Sequence, residues 1–175
     1  MNIFNLFKST SINTVNHNNV TPNAIEESLC SLIFQAVNQY RINNGSQKLT
    51  QLAPMNDLAW RHSFYLYENN IQAGDRCHSY WSERSAIILA LPQHFGYASE
   101  NIAAPELPIF AILEHKTEIT NAILQGWLNS KKGHCQTIEG DYTHSGIGVV
   151  IKPDHISVDK NKDRCSIYVT QLFAM

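Results

Sequence analysis

Three short segments hold side chains that could do chemistry. They are Cys77-His78, Glu100-Asn101-Ile102-Ala103, and Gly126-Trp127-Leu128-Asn129-Ser130 running into Gly133-His134. Two neutral imidazoles and a carboxylate, His78, His134 and Glu100, could hold Zn²⁺ or another divalent cation with water in the open position. The same three could instead form a proton-transfer group in which Glu100 orients one imidazole. No HxxxH pattern ties them together locally, so their convergence depends on the fold.

Nucleophile chemistry is less well supplied. No GxSxG elbow is present. Cys77 adjoins His78 and Cys135 adjoins His134, but adjacent residues seldom face each other as nucleophile and base. If both histidines face one cleft, the two cysteines could meet across it, so a Cys77–Cys135 disulfide is one expectation. The full set, Cys30, Cys77, Cys135 and Cys165, permits three pairings and contains no CxxC, which speaks against a zinc ribbon or a thioredoxin-like site.

Most of the eight histidines are expected to be surface or capping residues. His62 lies on the apolar side of a helical stretch and reads as a hydrogen-bonded core histidine. His144 precedes an apolar run and reads as a turn residue. His17, His94, His115 and His155 have no partner pattern. Trp60, Trp81 and Trp127 read as core and cleft walls.

The elements that must position these residues are legible from period and punctuation. Ile25, Leu29, Leu32, Ile33, Ala36, Val37 and Tyr40 recur at helical spacing, after a Thr21-Pro22 start and before an Asn43-Asn44-Gly45 stop. A second helix runs from Pro54 to Asn69-Asn70, a third from Ser82 to Leu91, and a fourth from Thr117 to Ser130. His78 and His134 then fall in loops, where sites tend to lie. The last third changes period: Ser145–Ile151 and Ser166–Phe173 read as strands joined by a charged hairpin loop, Lys152–Asp163, and Ala98–Ala103 is a further strand candidate. Helices and a small antiparallel sheet in segregated blocks argue for an α+β layered domain over 21–175. Residues 1–20 are polar, aperiodic, and read as a tail.

Composition narrows the function classes. A 175-residue chain with 43% hydrophobic and 16% charged residues can bury a real core. A net charge of −2 gives no electrostatic reason to expect a nucleic-acid partner. Lys131-Lys132 and the Lys160–Arg164 stretch read as solvated loops. No apolar run approaches the ~20 residues of a membrane span. The N-terminus lacks a basic region followed by a continuous apolar one, so it does not read as a signal peptide.

In this order the segments resemble the CAP superfamily, the cysteine-rich secretory, antigen 5 and pathogenesis-related 1 proteins that share the SCP domain, in its shorter bacterial form. The resemblance spans about Ile25 to Ala174. It rests on Val37-Asn38-Gln39-Tyr40-Arg41, Ala59-Trp60-Arg61-His62-Ser63, the three segments above, Ser145-Gly146-Ile147-Gly148-Val149 and Tyr168-Val169-Thr170-Gln171-Leu172-Phe173. It implies an α-β-α sandwich around a small antiparallel sheet, and a cleft in which larger members place two histidines and two glutamates, several of them binding a divalent metal. His78, Glu100 and His134 match three of those positions. Ser130 stands at the fourth, which removes one carboxylate. The resemblance implies export to the medium or periplasm, whereas the N-terminus, without a signal-peptide pattern, leaves open a cytoplasmic location, export by another route or prior trimming. It leaves two functions: a binding module for an unidentified ligand or protein partner, or a metal-dependent, peptidase-like hydrolase using the same cleft. It implies no organic cofactor.

Overall fold

The computed structural model describes residues 22–72, 74–153 and 164–175. The expected tail, residues 1–20, and residues 154–163 of the expected loop lie outside them.

Helix α1 (Ala24–Asn43) starts two residues later than a Thr21-Pro22 start implies. Asn23 is the cap. Its side-chain oxygen accepts the Ile25 and Glu26 N–H groups at 3.0 and 3.1 Å, and Glu26 accepts the Asn23 N–H at 2.9 Å. This reciprocal box satisfies donors that a threonine cap alone would leave open. Helix α2 (Ala53–Glu68) begins with a proline in its first turn, and α3 (Trp81–Leu89) ends before Pro92. The expected fourth helix is α5 (Lys116–Leu128), and it is preceded by a short α4 (Ile109–Glu114) that periodicity over six residues does not reveal.

The sheet has the order β1-β4-β5-β2, from β1 (Thr50–Gln51), β2 (Ala98–Ala103), β4 (His144–Pro153) and β5 (Arg164–Ala174). Strand β3 (Glu106–Pro108) lies beyond β2 along the same edge of β5. All pairings are antiparallel except the two-residue contact of β1 with β4. His144 is not a turn residue: it opens β4, paired with both Thr50 and Ala174, and its ring packs on Phe95.

Alternation along β4 and β5 sends side chains to opposite faces. Ile147, Val149, Ile167, Val169 and Phe173 meet Leu29, Ile33 and Val37 of α1 and Ile123 and Trp127 of α5. Leu172 and Ala174 meet Met55, Leu58 and Ala59 of α2 and Ile88 of α3, while Tyr168 and Val150 meet Trp60 and Leu66. The result is the expected α-β-α sandwich. Gly146 and Gly148 point toward α2, and a β-carbon at either would collide with the helix backbone, at Met55 and at Ala59-Trp60 respectively. The two glycines therefore let α2 lie directly on the sheet.

Arg41, near the end of α1, is 1% exposed. It donates to the carbonyls of Gln47, Ile138, Gly140 and Tyr142. One guanidinium thus fixes the chain just after α6 (His134–Glu139) against α1.

Candidate functional site

The site lies at edge strand β2, where the two helical layers come within reach of each other. Consecutive strand residues point to opposite faces, and β2 uses this at one dipeptide. Glu100 reaches the α2/α3 side and Asn101 the α5/α6 side. Glu100 accepts from His78 Nδ1 at 2.9 Å. Asn101 donates to the backbone carbonyl of His134 at 3.0 Å. Trp127 of α5 donates to the Ile102 carbonyl at 3.1 Å, which ties the helix to the same edge.

His78 ends a 3-10 turn, Asp75–His78, rather than an irregular loop. The next residues are unusual. Tyr80 has φ 60°, in the left-handed region that a bulky residue rarely adopts. Its ring is 48% exposed and packs edge-on against Tyr65. Arg84, one turn into α3, donates to the Ser79 carbonyl at 2.6 Å and so closes this bend.

Arg84 is the member of the site that motif reading misses. It is buried, and its guanidinium donates to both Glu100 oxygens, from Nη2 at 2.8 and 2.8 Å and from Nε at 3.1 Å. A signal was available: Arg84 shares a helical stripe with Ile88 and Leu91, so a charge stands on an apolar face. Burial pushes the Glu100 carboxyl upward, but the His78 hydrogen bond and the Arg84 charge outweigh it and hold the group below the usual carboxylate range. Glu100 is therefore an anion whose oxygens are already engaged.

His78 is raised to about 9, first by its hydrogen bond with the Cys77 side chain and then by Glu100, against the opposing effect of burial. At neutral pH it is an imidazolium with Nε2 directed away from Glu100. His134 is half-buried and shifts the other way, lowered by burial, by the charge on His78 and by Lys132. One imidazole is charged and the other neutral, which is how two nearby histidines avoid like-charge repulsion.

His134 is the first residue of α6, not a loop residue, and Gly133 before it takes φ 89°. Ser130 ends the turn after α5, where its hydroxyl oxygen accepts the Lys132 N–H at 3.1 Å. Lys131 and Lys132 are exposed, as expected of a solvated loop. A groove of about 330 Å³ runs along α5 and the β2–β3 edge, and Ser130 and His134 are the polar side chains in its apolar lining.

The fold thus gathers His78, Glu100 and His134 around one edge, with unequal roles. Among the described residues no three His, Cys, Asp or Glu side chains group as metal ligands. The two imidazoles can offer nitrogens, but Glu100 is held by Arg84 and stands behind His78. That is the position of a carboxylate that supports a ligating imidazole rather than of one that ligates. A three-ligand centre including Glu100 does not fit this arrangement.

The expected Cys77–Cys135 disulfide is not formed, and none of the four cysteines is in a disulfide. Cys77 faces inward, among Trp60, Leu66 and Ile71, whereas Cys135 sits by Tyr40, whose hydroxyl donates to Glu139 at 2.8 Å. His62 is the core histidine expected, 4% exposed, with Nε2 2.7 Å from the Cys77 carbonyl.

Comparison with known proteins places this architecture. Residues 34–173 match the model of the CAP family, described as the cysteine-rich secretory protein family. No curated protein matches the chain. Among solved structures it is similar to an extracellular protein containing a SCP domain from Bacillus anthracis, at TM-score 0.59 and 25% identity, covering 89% of this chain and 44% of that one. An outer surface protein from Borrelia burgdorferi aligns at TM-score 0.56 and 18% identity, covering 85% of this chain and 92% of that one. A cysteine-rich secretory protein from Staphylococcus aureus aligns at 0.53 and 11%, covering 89% and 41%. The chain spans less than half the length of the Bacillus and Staphylococcus proteins, and the two lower identities speak for the fold alone. With the family model matching most of its length and its sandwich shared by SCP-domain structures, the chain belongs to the CAP (cysteine-rich secretory protein) family.

Proposed function

We propose that this domain is a binding module that works outside the cytoplasm and takes its ligand or protein partner at the His78–His134 edge and the adjoining groove. One observation carries the reading. Both oxygens of Glu100 are bonded to Arg84, and one also to His78, so the site's carboxylate is not free to act as base, nucleophile or ligand. Ser130, at the other carboxylate position of larger relatives, caps a turn. What the site offers instead is a cationic imidazole, a neutral one and an apolar groove, a combination suited to recognition. Two structural neighbours are an extracellular protein and an outer surface protein, which supports action outside the cytoplasm, and no helix among the described residues is long and apolar enough to cross a membrane.

A second reading, a metal-dependent hydrolase, is favoured by one feature: a carboxylate behind His78 is what orients a metal-ligating or proton-transferring imidazole. A bound divalent cation would supply Lewis acidity to a water or carbonyl. His78 and His134 would hold it, and His78 would first have to release its Nε2 proton.

Two measurements separate the readings. Calorimetry with Zn²⁺ on the native protein and on a His78→Ala/His134→Ala variant tests the ion, and equal affinity in both removes it from this site. Screening peptides and esters with added metal and with chelator tests the enzyme. No turnover is expected, and turnover abolished by the double substitution would overturn the binding-module reading. Fractionation of cells and medium tests location, with the protein expected outside the cytoplasm.

A further inference from the structure

Behind the exposed histidine of the site stands a buried one that takes no part in the function above. His62 lies on α2, 4% exposed, with Nε2 2.7 Å from the Cys77 carbonyl. A carbonyl can only accept, so Nε2 carries the proton and donates. Tyr65, one turn on, stacks on the imidazole with ring centroids 5.9 Å apart and an interplanar angle of 15°, so the ring is held on its face as well as at its edge.

The accepting carbonyl belongs to the residue immediately before His78. The 3-10 turn that carries both is four residues long, and such turns have poor intrinsic hydrogen-bond geometry. Downstream, Tyr80 is held in the left-handed region. A turn this short, followed by a strained residue, does not fix its own direction. Two buried side chains fix it from outside: Arg84 at the Ser79 carbonyl and His62 at the Cys77 carbonyl, one on each side of His78.

We propose that His62 is a positioning residue of the site: by donating from Nε2 to the Cys77 carbonyl it clamps the turn from α2 and aims His78 Nδ1 at Glu100. The bond requires only the Nε2 proton, and the surroundings keep the ring neutral. A proton on its other nitrogen would set a charge in the core beside Arg84 and His78, with Glu100 alone to balance it, and burial and those two cations hold the ring down to about 4. The charged front histidine and the neutral rear one are thus complementary. The rest of the pattern follows from sequence: His62 stands between Leu58 and Leu66 at four-residue spacing, so α2 presents an imidazole where its apolar stripe would otherwise place an aliphatic residue.

The inference concerns the geometry of His78 and does not depend on the proposed function, although it matters to function only if that reading holds. The test is long-range ¹H–¹⁵N NMR of the imidazoles in the intact chain at neutral pH. In the native protein His62 should appear as the Nε2–H tautomer, with a slowly exchanging proton that shows coupling across the hydrogen bond to the Cys77 carbonyl. The His78 Nδ1–H should be visible through its bond to Glu100. In His62→Leu that His78 signal should be lost to solvent exchange while cooperative melting persists, and in His62→Gln, whose amide can donate to the same carbonyl, it should return. A His62 ring protonated at Nδ1 alone in the native protein overturns the proposal, as does a folded His62→Leu protein with the His78 signal unchanged. If His62→Leu does not fold, the native tautomer and cross-bond coupling decide. Zn²⁺ or ligand binding is not read in this experiment. Its failure therefore leaves the binding-module reading standing, and failure of that reading leaves the clamp standing.

Discussion

The two walls of the site are built on different physics, and two buried arginines display the contrast. On the His78 wall, Arg84 faces a carboxylate, and the whole unit of Arg84, Glu100, His78 and His62 is tied by groups that can gain or lose protons. On the His134 wall, Arg41 meets carbonyls only, and Asn101 holds the His134 backbone rather than its ring. Carbonyls and amides do not titrate. The first wall is set by charge and so depends on pH and on every member remaining present. The second is set by backbone geometry and packing, and it leaves the His134 side chain free to face the groove.

The largest expected consequence falls on the charged wall. Arg84→Leu leaves Glu100 as a buried anion without its main partner, a loss of about 3–5 kcal/mol in a buried pair. Adding Glu100→Leu should restore part of this, because two apolar residues carry no desolvation penalty. Denaturant melts of both singles and the double check it. A double variant no more stable than either single would mean that the pair is not a coupled unit.

Asn101→Ala makes the matching break in the other wall. It removes the side-chain hydrogen bond to the His134 carbonyl, which as part of the first turn of α6 still accepts within the helix, at a cost of about 0.5–1.5 kcal/mol. The expected loss is smaller because no charge is stranded. Its sharper signature is location: the amide signals of α6 should shift while the His78–Glu100 bond persists. A variant in which both walls change together would erase the distinction.

The same contrast explains what was legible in the sequence. The helices and the long strands carry strong periodicity, and the α+β layered domain follows from them, whereas the α-β-α sandwich was implied by the family resemblance. Gly146-Ile147-Gly148-Val149 was visible as a segment, but its reason, the contact of α2 backbone with the sheet, exists only in three dimensions. His78, Glu100 and His134 were identifiable as residue types, whereas the division of labour among them was not. It depends on Arg84, which carries no motif, and on Glu100 and Asn101 pointing to opposite faces of β2. Short elements were missed for a physical reason as well: the 3-10 turn, α4 and α6 span too few residues for a period to emerge. The Cys77–Cys135 expectation failed because sharing a cleft fixes where two histidines point and says nothing of their neighbours, which here face different clusters.

The gentlest test of the contrast is stability against pH, and it isolates the charged wall without any substitution. His78 is raised to about 9 in the fold, so its contribution is fully present below the unfolded value of ~6.5 and is lost as pH rises toward 9. His62 is lowered to about 4. The unfolded chain takes up that proton below ~6.5 and the folded one does not, so stability falls as pH drops from 6.5 toward 4. Cys77 and Glu100 face His78, while Arg84, Glu100, Cys77 and His78 face His62, and Glu100, itself lowered, adds to the decline at the acid end. The expected profile has its maximum near pH 6.5, with the alkaline side the shallower because solvent screens the half-exposed His78. Thermal unfolding across the range checks it. His78→Ala should flatten the alkaline side and also soften the acid side, because His78 helps to hold Glu100 and His62 low, whereas Asn101→Ala should lower the curve with little change of shape, because the bond it removes joins an amide to a carbonyl and does not titrate.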